Sequence, residues 1–222
     1  MRIWLLWGLT FWATAALPQD VLIIGDSMLG IHQNKTGGIE EVITQMTGLS
    51  VENHAQAAAR MVPATGLGVL VSGVPVSRQL QGRTAPIVVM NGGGNDLAQT
   101  CQCKACDAVL DSVLTEDGQG AMGQLARGLT EAGTRVVLVG YYNWAPGGKA
   151  FIGCKPYLAE LDRRMIHLAR SQAGIAYVDT KPVIDVADPT HLKPDGIHPS
   201  LKGAGLIGRA IAMAIGELGS GG

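Results

Sequence analysis

The chain has 222 residues and a formal net charge of -1 at pH 7, enough for one α/β domain with a full core and cramped for two. Near-neutral charge without basic runs argues against nucleic acid as the main partner. The 31 glycines are scattered between periodic segments, which fits turns and caps rather than low-complexity sequence.

The chain opens with Arg2 and an apolar run from Ile3 to Trp12, too short to span a bilayer. Ala13-Thr14-Ala15 then fits the small-x-small pattern of a signal-peptidase site. The pattern predicts a signal peptide over residues 1–15, cleaved near 15–17, ahead of a single mature domain over 18–222; an uncleaved membrane anchor is the competing expectation. No cysteine follows the apolar run, which argues against a lipid anchor. Export to the periplasm or beyond would expose Cys101, Cys103, Cys106 and Cys154 to oxidising conditions, so disulfides are expected, with a four-thiolate zinc site as the alternative. Four cysteines allow three connectivities, and Cys103 with Cys154 is the preferred long-range bridge.

Val21-Leu-Ile-Ile24 is a short apolar run, mostly β-branched, suited to a strand buried on both faces. It ends at Gly25-Asp26-Ser27, so it would deliver a hydroxyl to the carboxyl edge of a sheet. Ile39, Val42, Ile43 and Met46 then form an amphipathic helical stripe, with Gly48 placed for a left-handed cap. A weaker strand is expected over Val51 to Ala55, and one short helix around Val76 to Leu80. Ala85 to Met90 is a second strong strand, running into Asn91-Gly-Gly-Gly-Asn95-Asp96.

Val109, Leu110, Val113 and Leu114 begin a helix that is interrupted at Asp117 to Gly120. It resumes at Met122, Leu125 and Leu129 and ends at Gly133. Val136 to Val139 is the third strong strand. Leu161, Met165 and Leu168 mark the next helix, with Pro156 in its first turn. Ala176 to Val178 is the last strand, and Ile207, Ile211, Ile215 and Leu218 give the final helix its apolar face. Five strands alternating with helices predict an α/β fold, a three-layer αβα sandwich around a five-stranded parallel sheet.

A serine hydroxyl becomes a useful nucleophile only beside a base that is itself oriented by a third group. Of the five histidines, His167 falls mid-helix and is expected to pack or face solvent, while His32 and His54 have no carboxylate at a useful spacing. Asp195-Gly-Ile-His198 does: across a turn, an aspartate three residues away can hold the imidazole Nδ1 and leave Nε2 free. Alone, this spacing also fits an ordinary helix entry in which Asp195 caps and His198 is exposed.

Gly25-Asp26-Ser27, Gly93-Gly94-Asn95-Asp96 and Asp195-x-x-His198 occur in that order over essentially the whole mature chain. Together they resemble the SGNH hydrolases, also called the GDSL esterase/lipase family, which have a flavodoxin-like fold. The resemblance implies Ser27 as nucleophile, His198 as general base and acid, and Asp195 as the carboxylate that orients it. It also implies an oxyanion hole made of the Ser27 N–H, a glycine N–H after the second strand and the Asn95 side chain.

The sequence departs from the family pattern at two positions. Met28 replaces the usual leucine after the serine, a volume-conserving swap. Aligning Asn53-His-Ala-Gln-Ala-Ala58 puts Ala58 where the family has glycine, which keeps the N–H but adds a Cβ and makes positive φ costly. A slip in that alignment would move the role to Ala57 or Ala59.

There is no G-x-S-x-G elbow, P-loop, H-E-x-x-H or dinucleotide fingerprint, and no cofactor or metal is implied. Tyr141, Tyr142, Trp144 and Phe151 share one connection at the sheet edge that carries Ser27. Tyr141 is expected to finish its strand in the core, and Trp144 and Met28 to contact substrate. A disulfide between the 101–106 segment and Cys154 would hold the rim of such a cleft. The leading expectation is an exported serine esterase acting on short- to medium-chain acyl esters or lysophospholipids. A carbohydrate O-acetylesterase of the cell envelope is the alternative, and a non-catalytic binding domain on the same fold is the third.

Overall fold

The computed structural model describes residues 19–64, 73–145, 148 and 151–220. The expected signal peptide lies outside the described residues. Among the described residues, no helix is long and apolar enough to cross a membrane.

Five strands form one sheet: β1 (Val21–Ile24), β2 (Val51–Asn53), β3 (Ile87–Met90), β4 (Arg135–Val139) and β5 (Ile175–Val178). All neighbours pair in parallel, in the order β2-β1-β3-β4-β5. This is the doubly wound order in which the chain runs outward from β1 to β2 and then returns to the other side of β1. β1 and β3 therefore meet at the switch point, where their carboxyl ends diverge from the helices and leave a crevice.

The central strands read as continuous apolar runs because both faces are covered. Leu22, Ile24, Val88, Met90, Val136 and Leu138 point to one side and pack against α4 (Asp107–Val113), α5 (Gly120–Glu131) and α6 (Lys155–Ser171). Val21, Ile23, Val89, Val137 and Val139 point to the other and meet α2 (Ile39–Thr47) and α7 (Leu201–Ser220). Each fully buried aliphatic side chain of this kind contributes about 1.5–3 kcal/mol. The expected α/β sandwich is the observed architecture.

Helix ends follow local chemistry. Gly48 takes the left-handed conformation, φ 73°, and its N–H closes α2 onto the Thr44 carbonyl. Pro156 sits in the first turn of α6, where a missing N–H costs nothing. Two expectations need correction. Met46 is 48% exposed, since one turn beyond Ile43 the α2 stripe has already cleared α7. The second strand stops at Asn53, because the Asn53 side chain bonds the Leu29 carbonyl and the Ala55 N–H and turns the chain away. Two helices near the site were absent from the periodicity: α1 (Ser27–Gly30) and α3 (Gly94–Thr100), both too short for an apolar stripe.

Candidate active site

β1 ends at Gly25, whose φ of 145° disfavours any L side chain, and Asn91 Oδ1 already fills the space a Cβ would take. Its peptide is held on both sides by Gln79, which accepts from the Gly25 N–H at 2.7 Å and donates to the Gly25 carbonyl at 2.9 Å. Asp26 caps α1. One carboxylate oxygen accepts from the Met28 N–H at 2.9 Å and from Asn91 Nδ2 at 2.8 Å, and the other accepts from the Tyr141 hydroxyl at 2.5 Å. Asp26 is 3% exposed and is thereby fully partnered, as a buried charge must be. Ser27 is the first residue of this pinned turn.

The loop before α7 brings His198 across the fold. His198 Nε2 lies 3.0 Å from Ser27 Oγ, and His198 Nδ1 lies 2.8 Å from Asp195 Oδ2. Asp195 Oδ1 accepts from the backbone N–H groups of Ile197 and His198, each at 2.9 Å. Partial burial pushes the Asp195 carboxyl up, but the two backbone donors and the His198 ring outweigh it and bring it down to about 2. The loop itself is tied from outside: Tyr142 donates to the Ile197 carbonyl at 2.7 Å, and His32 Nε2 lies 3.0 Å from the Pro199 carbonyl.

Asn95 stands at the start of α3, on the same cleft as Ser27 and His198. Its amide donates to the Ala59 carbonyl at 3.0 Å, and an amide has a second N–H to offer. The next residue, Asp96, is fully buried and accepts from the Met61 and Val62 N–H groups, both at 2.9 Å. Burial pushes its carboxyl up, opposed by those two donors and by Arg60. Asn95 and Asp96 thus fasten the loop of Ala58 to Met61 onto α3. Ala58, the residue that the expected alignment sets against the family's glycine, takes φ 60°, in the left-handed region. Ala58 does not line the cleft, whereas Met28 and Trp144 do.

The cleft encloses about 430 Å³ including its open mouth, with Phe151, Leu158 and Ile197 completing its apolar wall. Trp144 and Phe151 pack as a tilted pair, ring centroids 5.8 Å apart. Disulfides join Cys101 to Cys106 and Cys103 to Cys154, so the thiolate-metal alternative does not describe these cysteines. The first closes the segment after α3, and the second ties that segment to the turn carrying Phe151.

Three features were missed in the sequence. Tyr141 packs against the core as expected, but its hydroxyl also reaches Asp26 and accepts from the Gly94 N–H at 3.0 Å. Gln79 and Asn91 are buried and bond the end of β1, yet nothing in sequence spacing marks them. The statement that His54 lacks a carboxylate is corrected: its Nε2 lies 2.7 Å from Glu52 Oε1, since residues two apart along an extended chain share one face. Neither His54 nor His32 lines the cleft, and His167 is exposed on α6.

The sequence model of the GDSL-like Lipase/Acylhydrolase family matches residues 23–206. The chain belongs to this family. No curated protein matches it in sequence. In structure, this GDSL-family chain is similar to the lipase/acylhydrolase from Enterococcus faecalis, at 14% identity and a TM-score of 0.62, covering 89% of this chain and 95% of that one. It is also similar to a lipase from a goat rumen metagenome, at 17% identity and a TM-score of 0.58, covering 87% and 96%. A third neighbour is a carbohydrate esterase family 2 enzyme with a carbohydrate-binding domain from Corynascus thermopiles, at 15% identity and a TM-score of 0.61, covering 94% and 69%. At such identities the likeness concerns the fold.

Proposed function

We propose that this GDSL-family protein is an exported serine ester hydrolase that works through an acyl-enzyme on Ser27. The observation that carries this is the hydrogen-bonded line from Asp195 through His198 to Ser27, opening on an apolar cleft. Ser27 Oγ attacks the acyl carbonyl while His198 Nε2 takes the hydroxyl proton, and the negative Asp195 stabilises the imidazolium that forms. Charge developing on the carbonyl oxygen is met by the Ser27 N–H and the Asn95 amide, both at the cleft; the Ala58 N–H, on the loop bonded to Asn95, would be a third donor only if that loop turns it inward. Collapse expels the alcohol, which receives the proton from His198. Water, deprotonated by the same imidazole, then attacks the acyl-enzyme, releases the acid and restores Ser27.

Met28, Trp144, Phe151 and Leu158 make an apolar wall beside the reacting atoms, which supports short- to medium-chain acyl esters, lysophospholipids among them. Two disulfides support an oxidising compartment, and with it the signal peptide and export. The Trp144–Phe151 pair also supports a second reading, a carbohydrate O-acetylesterase, since a sugar ring can lie against such a surface. Nitrophenyl esters of increasing chain length separate the two. Turnover that persists to butyrate and hexanoate and disappears in Ser27→Ala is the expected result. Activity confined to acetate, with acetate released from acetylated glycans, would favour the second reading.

A further inference from the structure

The proposed reaction needs one oxyanion donor after β1 and another after β3, held at a fixed separation. A single hydroxyl bonds both segments. Tyr141, at the exit of β4, donates to Asp26 Oδ2 at 2.5 Å and accepts from the Gly94 N–H at 3.0 Å. Each bond lands one residue before a proposed donor: Asp26 precedes Ser27, and Gly94 precedes Asn95.

We infer that Tyr141 is a positioning residue whose hydroxyl, bonded at once to Asp26 and Gly94, sets the spacing of the Ser27 N–H and the Asn95 amide. This rests on the ester-hydrolase reading of the site.

The surroundings give the hydroxyl little latitude. The Tyr141 ring packs against the apolar clusters on both sides of the sheet, and its backbone N–H is bonded to Asp162 at 3.3 Å. A Cβ on Gly94 would come within 3.0 Å of the Tyr141 ring and hydroxyl, so glycine lets α3 begin this close. Burial, reinforced by the neighbouring Asp26 carboxylate, pushes the phenol well above its ordinary range, so it remains a donor at any pH at which the protein works. Asp26 in turn holds the Met28 N–H, which fixes the turn that aims the Ser27 N–H. Without the hydroxyl, the Gly94 N–H and one Asp26 oxygen lose their shared partner, and α3 can move relative to α1. Displacements near 1 Å in such a constellation cost on the order of 10²-fold in rate.

The test compares wild type with Tyr141→Phe, well below both melting temperatures, with active sites counted by a fluorophosphonate. For nitrophenyl butyrate, kcat per titrated site is expected to fall roughly 10- to 100-fold with KM within about two-fold, because the missing stabilisation belongs to the transition state. Affinity for a trifluoromethyl ketone should fall in parallel, since its adduct with Ser27 Oγ places an oxyanion between the same donors while His198 holds the proton. A merely structural tyrosine would reduce the titratable fraction and leave kcat per site and ketone affinity at wild-type values; that result overturns the inference. If Tyr141→Phe does not fold, Gly94→Ala, whose Cβ would come within 3.0 Å of the Tyr141 ring and hydroxyl, displaces the same bridge from its other end and is read in the same way. A wild-type protein that neither turns over nor titrates would overturn the ester-hydrolase reading, and this inference with it. An active wild type with an unaffected Tyr141→Phe overturns the inference alone.

Discussion

Gln79 holds the peptide of Gly25 from both sides, accepting from its N–H at 2.7 Å and donating to its carbonyl at 2.9 Å. The two residues are 54 positions apart, and Gln79 is fully buried. The last turn of backbone before Ser27 is thus fixed by a side chain from the same segment that bonds the Ala58 and Arg60 carbonyls, through the Gly73 and Val76 N–H groups. Gln79→Leu would leave the buried Gly25 N–H unpaired at nearly constant volume, while the Gly25 carbonyl keeps the Gln56 N–H at 3.0 Å, for a loss of about 1–3 kcal/mol. Urea unfolding of the two proteins measures this; a loss below about 0.5 kcal/mol would show that water replaces the amide.

Ala58 presents the opposite case, a residue less suited to its backbone than the alternative. Its left-handed φ of 60° costs an alanine about 1–2 kcal/mol, against about 0.5–1 kcal/mol for the extra freedom glycine has when unfolded. Ala58→Gly is expected to stabilise the protein by roughly 0.5–1 kcal/mol, seen as a higher Tm, with kcat undiminished. A lower Tm would mean that the Ala58 methyl makes packing contacts worth more than the conformational relief.

The two disulfides should differ in weight. Cys103 and Cys154 are 51 residues apart in sequence, whereas Cys101 and Cys106 are separated by 5. Loop-closure entropy gives the first about 4 kcal/mol and the second about 2 kcal/mol. Replacing Cys103 and Cys154 by serine is expected to lower Tm more than replacing the other pair, and to raise KM for longer acyl esters by loosening the turn that carries Phe151. Non-reducing peptide mapping should recover the Cys103–Cys154 link; recovery of any other pairing contradicts both expectations.

The sign of the acid response follows from Asp195. Its folded carboxyl titrates at about 2, below the ordinary 3.8, so its stabilising bonds are fully present above 3.8 and are lost as pH falls through 2. Between pH 4 and 8 the Asp195 carboxylate should therefore stay ionised and its bonds to the backbone donors intact. Carbon-13 titration of the Asp195 carboxyl checks this. A midpoint near 3.8 would show that the backbone donors of Ile197 and His198 do not hold it in solution.

Legibility in the sequence followed the range of each interaction. The strands were readable because a strand covered on both faces must be apolar throughout, and the long helices because their stripes recur every turn. α1 and α3 were not, since four and seven residues contain too few turns to show a stripe. Ser27, Asp195, His198 and Asn95 lie in compact motifs, and the fold brings all four to one sheet edge. Gln79, Asn91 and Tyr141 act through bonds to residues 54, 65 and 115 positions away, and such partners leave no local spacing to read. His54 was misjudged for a simpler reason: Glu52, two residues earlier, shares its face of the chain, and that spacing was overlooked.

The central claim is that Ser27 is a nucleophile activated by His198. Its most direct test is reaction of the purified protein with a fluorophosphonate, followed by mass mapping of the adduct. One adduct per chain on Ser27, absent from Ser27→Ala and slowed by at least about 10²-fold in His198→Ala, is the predicted result. An unlabelled wild-type chain, or an adduct on any other residue, would contradict it.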